Sequence, residues 1–334
     1  MASTTSAGTA DRDELPVNIG GQAVIDGVMM RAPGRVATAV RVAPDRIVVR
    51  QEAYHSLAKR FPPFRLPVLR GALSLIESLV IGTRTLNWSA ELSQYGADAP
   101  LEKDLGHQVM SVLSLLLAFS VGILLFMYLP YLASSILGQG EGEGANQVIF
   151  HLVVGLIRIS LLLGYLWGIS RWSEVRTLFA YHGAEHKSIY AWEETRKVTV
   201  EEARQHTRFH PRCGTSFLLV VALATVLVYA VFDSIWINGM GSFKGYGSFD
   251  SVFHRLLVHL PIIPLVAGLS FEILQLSNRM RNAALAQLLI APGLWFQRLT
   301  TQEPDEAQLE VAVVAIRASL DLPMDGLRSH IEFI

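Results

Sequence analysis

The sequence predicts an α-helical integral membrane protein. Its parts are about four transmembrane helices, a small N-terminal β unit, a cytosolic helical His/Cys loop and interfacial amphipathic helices. Three observations carry that reading. First, the 334 residues are 51% hydrophobic and only 17% charged, with a mean hydropathy of +0.36, where soluble domains carry about 25% charged residues. Second, four long apolar segments recur, at about 108–137, 147–170, 216–236 and 252–273. The first, "QVMSVLSLLLAFSVGILLFMYLPYLASSIL", has no Asp, Glu, Lys or Arg, and about 18 such residues suffice for a span. Third, Lys and Arg alternate between the connections. Twelve precede residue 108, none lies in 138–146, eight lie in 171–215, one in 237–251 and five after 273. Basic loops stay on the cytoplasmic side, so four spans with both termini cytosolic fit the pattern, as in a bacterial inner membrane.

The elements follow in order. Residues 1–17 are small and polar, without the basic start and apolar stretch of a signal peptide, and read as a disordered tail. Residues 18–60 form a cytosolic β-rich unit: "RVATAVRV" (35–42) and "RIVVRQEAY" (46–54) flank the turn chemistry of "APD", as in a hairpin. In 61–107, Leu66, Leu69, Leu73, Ile76 and Val80 make one helical stripe while Arg70 and Glu77 share another face. That pattern suits a helix on the membrane surface; a soluble core helix is the alternative. Residues 108–299 are the transmembrane domain, with the His/Cys loop at 171–215. Within it, "NAALAQLLIAPGLWFQRL" (282–299) is interrupted by Pro292–Gly293 and reads as interfacial or re-entrant. Residues 300–334 supply a cytosolic C-terminal amphipathic helix with a capping signal at its start.

Composition also narrows function. A net charge of −1 excludes a nucleic-acid partner, because phosphate binding needs a basic surface. Cys213 is the single cysteine, so no intrachain disulfide forms, and a cytosolic thiol stays reduced and able to ligate metal.

Candidate chemistry concentrates in "AYHGAEHKSIYAW" (180–192). On a helix, His182 and His186 are one turn apart on one face and can share a metal ion, with Glu185 placed to deprotonate a water. The His-x-x-Glu-His order occurs among metalloprotease signatures. Downstream, "HPRC" adds His210 and Cys213 at ligand-like spacing. The expected site is therefore His182, His186, His210 and Cys213 around a divalent transition metal, zinc by ligand type, with Glu185 as general base. Three ligands leave a catalytic position open, whereas four close a structural site; a hydrogen-bonded polar cluster without metal is the remaining alternative. Glu193 and Glu272 are candidates for supporting or substrate contacts. Arg158 and Glu272 are charges within spans, which usually face a partner or a wet cavity. His254, Arg255 and His259, toward the outer half of the fourth span, are assigned to packing or lipid headgroups. His206 is read as a solvated helix residue.

Four stretches in order, "GGQAVIDGVMMRAP" (20–33), "YHGAEHKSIYAWE" (181–193), "HPRCGTSF" (210–217) and "LTTQEPDEAQLEVAV" (299–313), resemble the YqhQ-like family of membrane proteins, often labelled metal-dependent enzymes. The resemblance runs from about residue 18 to 318. The family tends to have Glu where this chain has Asp26, which keeps the carboxylate and shortens it. The resemblance implies that the glycine-rich segment belongs to the functional core, with Gln22, Asp26 and Arg31 facing the metal loop; a structural β turn is the rival. Two functions are then expected. One is a metal-dependent enzyme at the cytosolic membrane surface, hydrolytic on a lipidic or membrane-associated substrate. The other is a non-catalytic scaffold or biogenesis factor with a structural metal. Membrane lipids, a membrane-protein partner or a second copy of the chain are the expected partners.

Overall fold

The computed structural model describes residues 19–57, 61–96, 105–136, 145–240, 257–279 and 284–334. The expected tail at 1–17, together with His254 and Arg255, lies outside them. The chain builds a bundle of largely apolar helices and a sheet-based domain at one end of it.

The sheet starts with an antiparallel meander: β1 (Gly20–Val24), β2 (Gly27–Ala32), β3 (Arg35–Ala43) and β4 (Arg46–Ala53). The expected hairpin is β3–β4. A fifth strand, β5 (His330–Phe333), adds parallel to β4, a role the sequence did not announce for the C-terminus. Alternation gives the sheet two buried faces. Val24, Met29, Val36, Val40 and Val48 pack under α1 (Leu69–Tyr95). Val28, Met30, Ala37, Ala39, Ile47 and Val49 share a core with α5 (Ser173–Thr195) and α10 (Glu306–Leu320).

Helix α10 differs from the amphipathic helix expected. Asp305 caps it and Gln308 returns the bond, a capping box with distances of 2.8 and 3.0 Å. Every residue from Leu309 to Ile316 is buried, because sheet and α5 enclose it from both sides. Its one internal carboxylate, Glu310, accepts bonds from Arg41, the Arg328 and Ser329 amides and the Ser329 hydroxyl, which moors the tail that becomes β5.

Helix α1 inverts the arrangement of a soluble helix. Arg70 is bound to Glu272. Glu77 accepts from Tyr54, Ser56 and the Leu57 amide. Gly71 sits against Gly268 and Phe271. Polar and small groups face inward, while Leu66, Leu69, Ile76, Leu79 and Val80 are exposed and only Leu73 of the stripe is buried.

The bundle comprises α2 (Leu105–Ile123), a π-helical turn at Leu124–Tyr128, α3 (Leu129–Ile136), α4 (Ala145–Ile169), α7 (Gly214–Met240), α8 (Ile263–Arg279) and α9 (Ala284–Thr300); a short helix, α6 (Val200–Gln205), follows α5. Three described helical runs are long and apolar enough to cross a membrane: Val112–Ser134, Ile149–Ile169 and Leu257–Leu276. The segment expected as a further span lies in α7, whose described apolar stretch, Leu219–Asp233, is shorter. The expected break at Pro292–Gly293 does not occur. Helix α9 continues through Pro292 and buries Ile290, Phe296 and Gln297, since contacts with neighbouring helices offset the hydrogen bond that proline removes.

Polar clusters mark both ends of α7. At its start, Cys213 meets His182. Near its other end, Asp233 accepts from His259 Nε2 at 2.6 Å and lies 3.2 Å from His151 Nε2. Twenty residues separate Cys213 from Asp233, roughly 30 Å at the rise of an α-helix. His259, expected to serve packing or headgroups, is fully buried against Asp233.

Candidate metal centre

Helix α5 presents His182, Glu185 and His186 to the interior. His186 is 1% exposed and Glu185 4%. The helix can come so close to its surroundings because two glycines lack side chains. A Cβ on Gly183 would collide with the Gln302 carbonyl, and one on Gly21 would lie 2.7 Å from the Met29 carbonyl and 2.9 Å from the Glu185 side chain. Strand β1 therefore covers Glu185 directly.

Both imidazoles are held through the same nitrogen. His182 Nδ1 donates to the Thr300 carbonyl at the end of α9, at 2.7 Å. His186 Nδ1 donates to the Arg208 carbonyl at 2.5 Å. A carbonyl only accepts, so each Nδ1 carries the hydrogen and each Nε2 keeps a lone pair. His182 Nε2 lies 3.2 Å from Cys213 Sγ. His186 Nε2 is buried with no hydrogen-bond partner and interacts electrostatically with Cys213. One ligand atom from each of His182, His186 and Cys213 falls within 4.8 Å of the others. Backbone carbonyls that fix the distal nitrogen are the usual support for metal-binding histidines.

Glu185 adds a carboxylate whose Oε2 has no partner. Burial pushes its pKa up to about 8; the nearby Cys213 acts in the same direction, while His182 and the Gly21 amide oppose it. Burial also pushes His186 below its ordinary value, keeping it in the neutral form that binds metal.

His210, expected as a ligand, is not part of this group. Its ring centroid is 5.7 Å from that of His186. Nδ1 accepts from the Arg212 amide at 3.3 Å, and Nε2 faces Glu193 at 3.5 Å. Burial pushes its pKa down to about 4. The reason is a backbone clamp: Gln297 of α9 accepts from the His210 amide and donates to its carbonyl, each at 2.7 Å. His210 thus stiffens the turn that delivers Cys213. Glu193 is paired with Arg212 and His210, beside the cluster rather than in it. Glu272 is engaged by Arg70 and the Val68 amide. His206 stands apart between Glu194 and Glu202.

Gln22, Asp26 and Arg31 do not face the metal loop. Gln22 pairs with Met29 across β1–β2 and abuts Gly82 of α1. Arg31 reaches Ser78 and lies over Tyr54. Asp26, at φ +49° in the turn, accepts from Ser93. All three point to the α1 side, and the residue between strand and site is Gly21. The Thr300 and Arg208 carbonyls left no trace in the sequence. Gln297 did: it is a lone amide in the apolar run "GLWFQRL".

The four matching stretches now have places in one structure. The chain is 32% identical over 330 residues to the uncharacterized protein YqhQ of Bacillus subtilis (strain 168), covering 93% of this chain and 95% of that one. No solved structure matches it significantly. A family described as "Protein of unknown function (DUF1385)" matches residues 66–322, which take in α1, the whole histidine–cysteine cluster and α10, and the chain belongs to that family.

Proposed function

We propose that this protein is a metal-dependent enzyme of the membrane, hydrolytic on a lipidic or membrane-associated substrate, with His182, His186 and Cys213 as ligands and Glu185 as general base. The observation that carries the reading is the pair of Nδ1–H bonds to backbone carbonyls, which leaves two Nε2 lone pairs converging with a thiol. Three protein ligands match the pattern of a catalytic zinc site. When bound, the metal supplies Lewis acidity. Beside a cation the Glu185 carboxylate is favoured in its charged form. Its unpartnered Oε2 then takes a proton from the attacking water.

The membrane setting is part of the proposal. Besides the three long apolar runs, α7 links the same two ends that α4 links: Cys213 lies with His182, and Asp233 lies with His151. That supports α7 as a fourth span. The basic residues around α5 and the sheet support a cytosolic location for that end and for both termini. The exposed leucines and valines of α1 fit contact with lipid.

A second reading has its own support. All three ligands and Glu185 are buried, as in a structural metal that staples helices, which suits a scaffold or biogenesis factor. Elemental analysis of purified protein tests the metal: about one transition-metal ion per chain is expected, and its absence removes both metal readings. Glu185→Gln separates them. An enzyme keeps its metal and loses activity by about 100- to 10,000-fold; unchanged function in vivo leaves the structural role.

A further inference from the structure

A second buried constellation lies at the far end of α7, outside the metal centre. Asp233 is fully buried, as is His259, and His151 is nearly so. Isolated charges are costly within apolar helices and persist where they have a partner and a task. Here the partners belong to different helices: His151 to α4, Asp233 to α7, and His259 to the chain just before α8.

The geometry differs from a metal site. The two Nε2 atoms approach different oxygens of one carboxylate, His259 on Oδ1 and His151 on Oδ2. Each imidazole donates its Nε2 hydrogen to Asp233, and the carboxylate occupies the place a cation would need. Among the described residues, the group whose ligand atoms converge is the His182–His186–Cys213 set. With Nε2 protonated, His259 keeps its lone pair on Nδ1, and Tyr131 Oη lies 3.4 Å from it. Tyr229 stacks on the His259 ring, with centroids 4.2 Å apart. Among the described residues a cation nearby is Arg158, whose Nε donates to the Phe126 carbonyl in the π-helical turn and whose guanidinium lies 6.0 Å from the Tyr131 ring centroid.

We propose that Asp233, His151 and His259 form a proton-binding site in which two imidazoles compete for one added proton beside a common carboxylate. The proton comes from water on that side of the bundle and adds to His259 Nδ1. Tyr131 then turns its hydroxyl from donor to acceptor, and Asp233 stays bonded to both Nε2 hydrogens. A single imidazole would already satisfy one carboxylate oxygen; the second keeps the carboxylate paired on both sides whichever ring is charged. Interacting groups of this kind titrate as a unit. The site is independent of the metal reading.

The test is nitrogen NMR of the full-length chain, isotopically labelled at histidine and held in lipid nanodiscs, with His151 and His259 assigned by single substitutions. Between about pH 5 and 8, the two rings should leave the Nε2–H neutral form together, taking up one proton per chain. His151→Gln should move the His259 midpoint by more than about one pH unit, and Asp233→Asn should abolish the coupling. His182→Ala should leave the titration unchanged. Two rings that stay neutral throughout, or that titrate independently in the unmodified chain, would overturn the proposal. That readout needs no variant that fails to fold.

Discussion

Two histidine clusters stand at opposite ends of α7, and they differ in which nitrogen holds the hydrogen. At the Cys213 end, Nδ1 is tied to backbone carbonyls and Nε2 faces a shared space. At the Asp233 end, Nε2 is tied to a carboxylate and the space between the rings is filled by it. The carboxylates differ too: Glu185 keeps an oxygen without a partner, while both Asp233 oxygens are used. Imidazole pairs in one chain thus become a candidate cation site or a hydrogen-bonded bridge according to what satisfies their other nitrogen.

The contrast is broken most directly by removing a ring from each cluster. His186→Ala should lower metal affinity by more than about 100-fold, since loss of a supporting contact alone costs 10- to 100-fold. His259→Ala should leave metal content unchanged. Metal analysis of both variants in parallel measures this, and equal loss would merge the two clusters into one unit.

A smaller effect sharpens the Cys213 end. Gly21→Ala introduces a methyl group 2.7 Å from a backbone oxygen and 2.9 Å from Glu185. It should destabilise by about 1–3 kcal/mol, and thermal unfolding in detergent reads this out. Gln297→Leu strips the clamp from the His210 amide and carbonyl and should cost a similar amount, about 1–3 kcal/mol. Metal content should fall further in Gln297→Leu than in Gly21→Ala, because Cys213 follows the clamped turn.

The gentlest test is pH. Metal-free protein holds Glu185 protonated up to about pH 8, whereas the unfolded chain releases that proton near the ordinary carboxylate value. The native state therefore binds more protons, and stability falls as pH rises. Above about pH 7.5 the imidazoles of His186 and His210 are neutral in both states, so Glu185 dominates this cluster. Stability should drop by at most about 1.4 kcal/mol per pH unit up to pH 8 and then level off. Bound metal should flatten that slope, as should Glu185→Gln.

How much of this was readable depended on whether the signal was local. The His182–His186 pair was legible because four residues make about one helical turn. Cys213 was legible by its spacing, but the same spacing promoted His210, whose orientation is set by Gln297, 87 positions away in sequence. The glycine-rich segment does lie against Glu185, through Gly21. Its residues were assigned to the wrong face, since strand alternation fixes which residues share a side but not what covers that side. Asp233 and His151 were not singled out from the sequence, because their pairing depends on which helix ends meet. Strand β5 was hidden because four residues, "HIEF", carry too little pattern.

The parallel pairing of β5 with β4 has a consequence for how the molecule is made. The sheet whose first strand covers Glu185 starts at residue 20, yet it is completed by residues 306–333, on the other side of the bundle in sequence. The surroundings of Glu185 therefore take shape only when chain from both sides of the bundle has met in one sheet. A chain cut before residue 306 would lose both α10 and β5, and with them the cover on one face of that sheet.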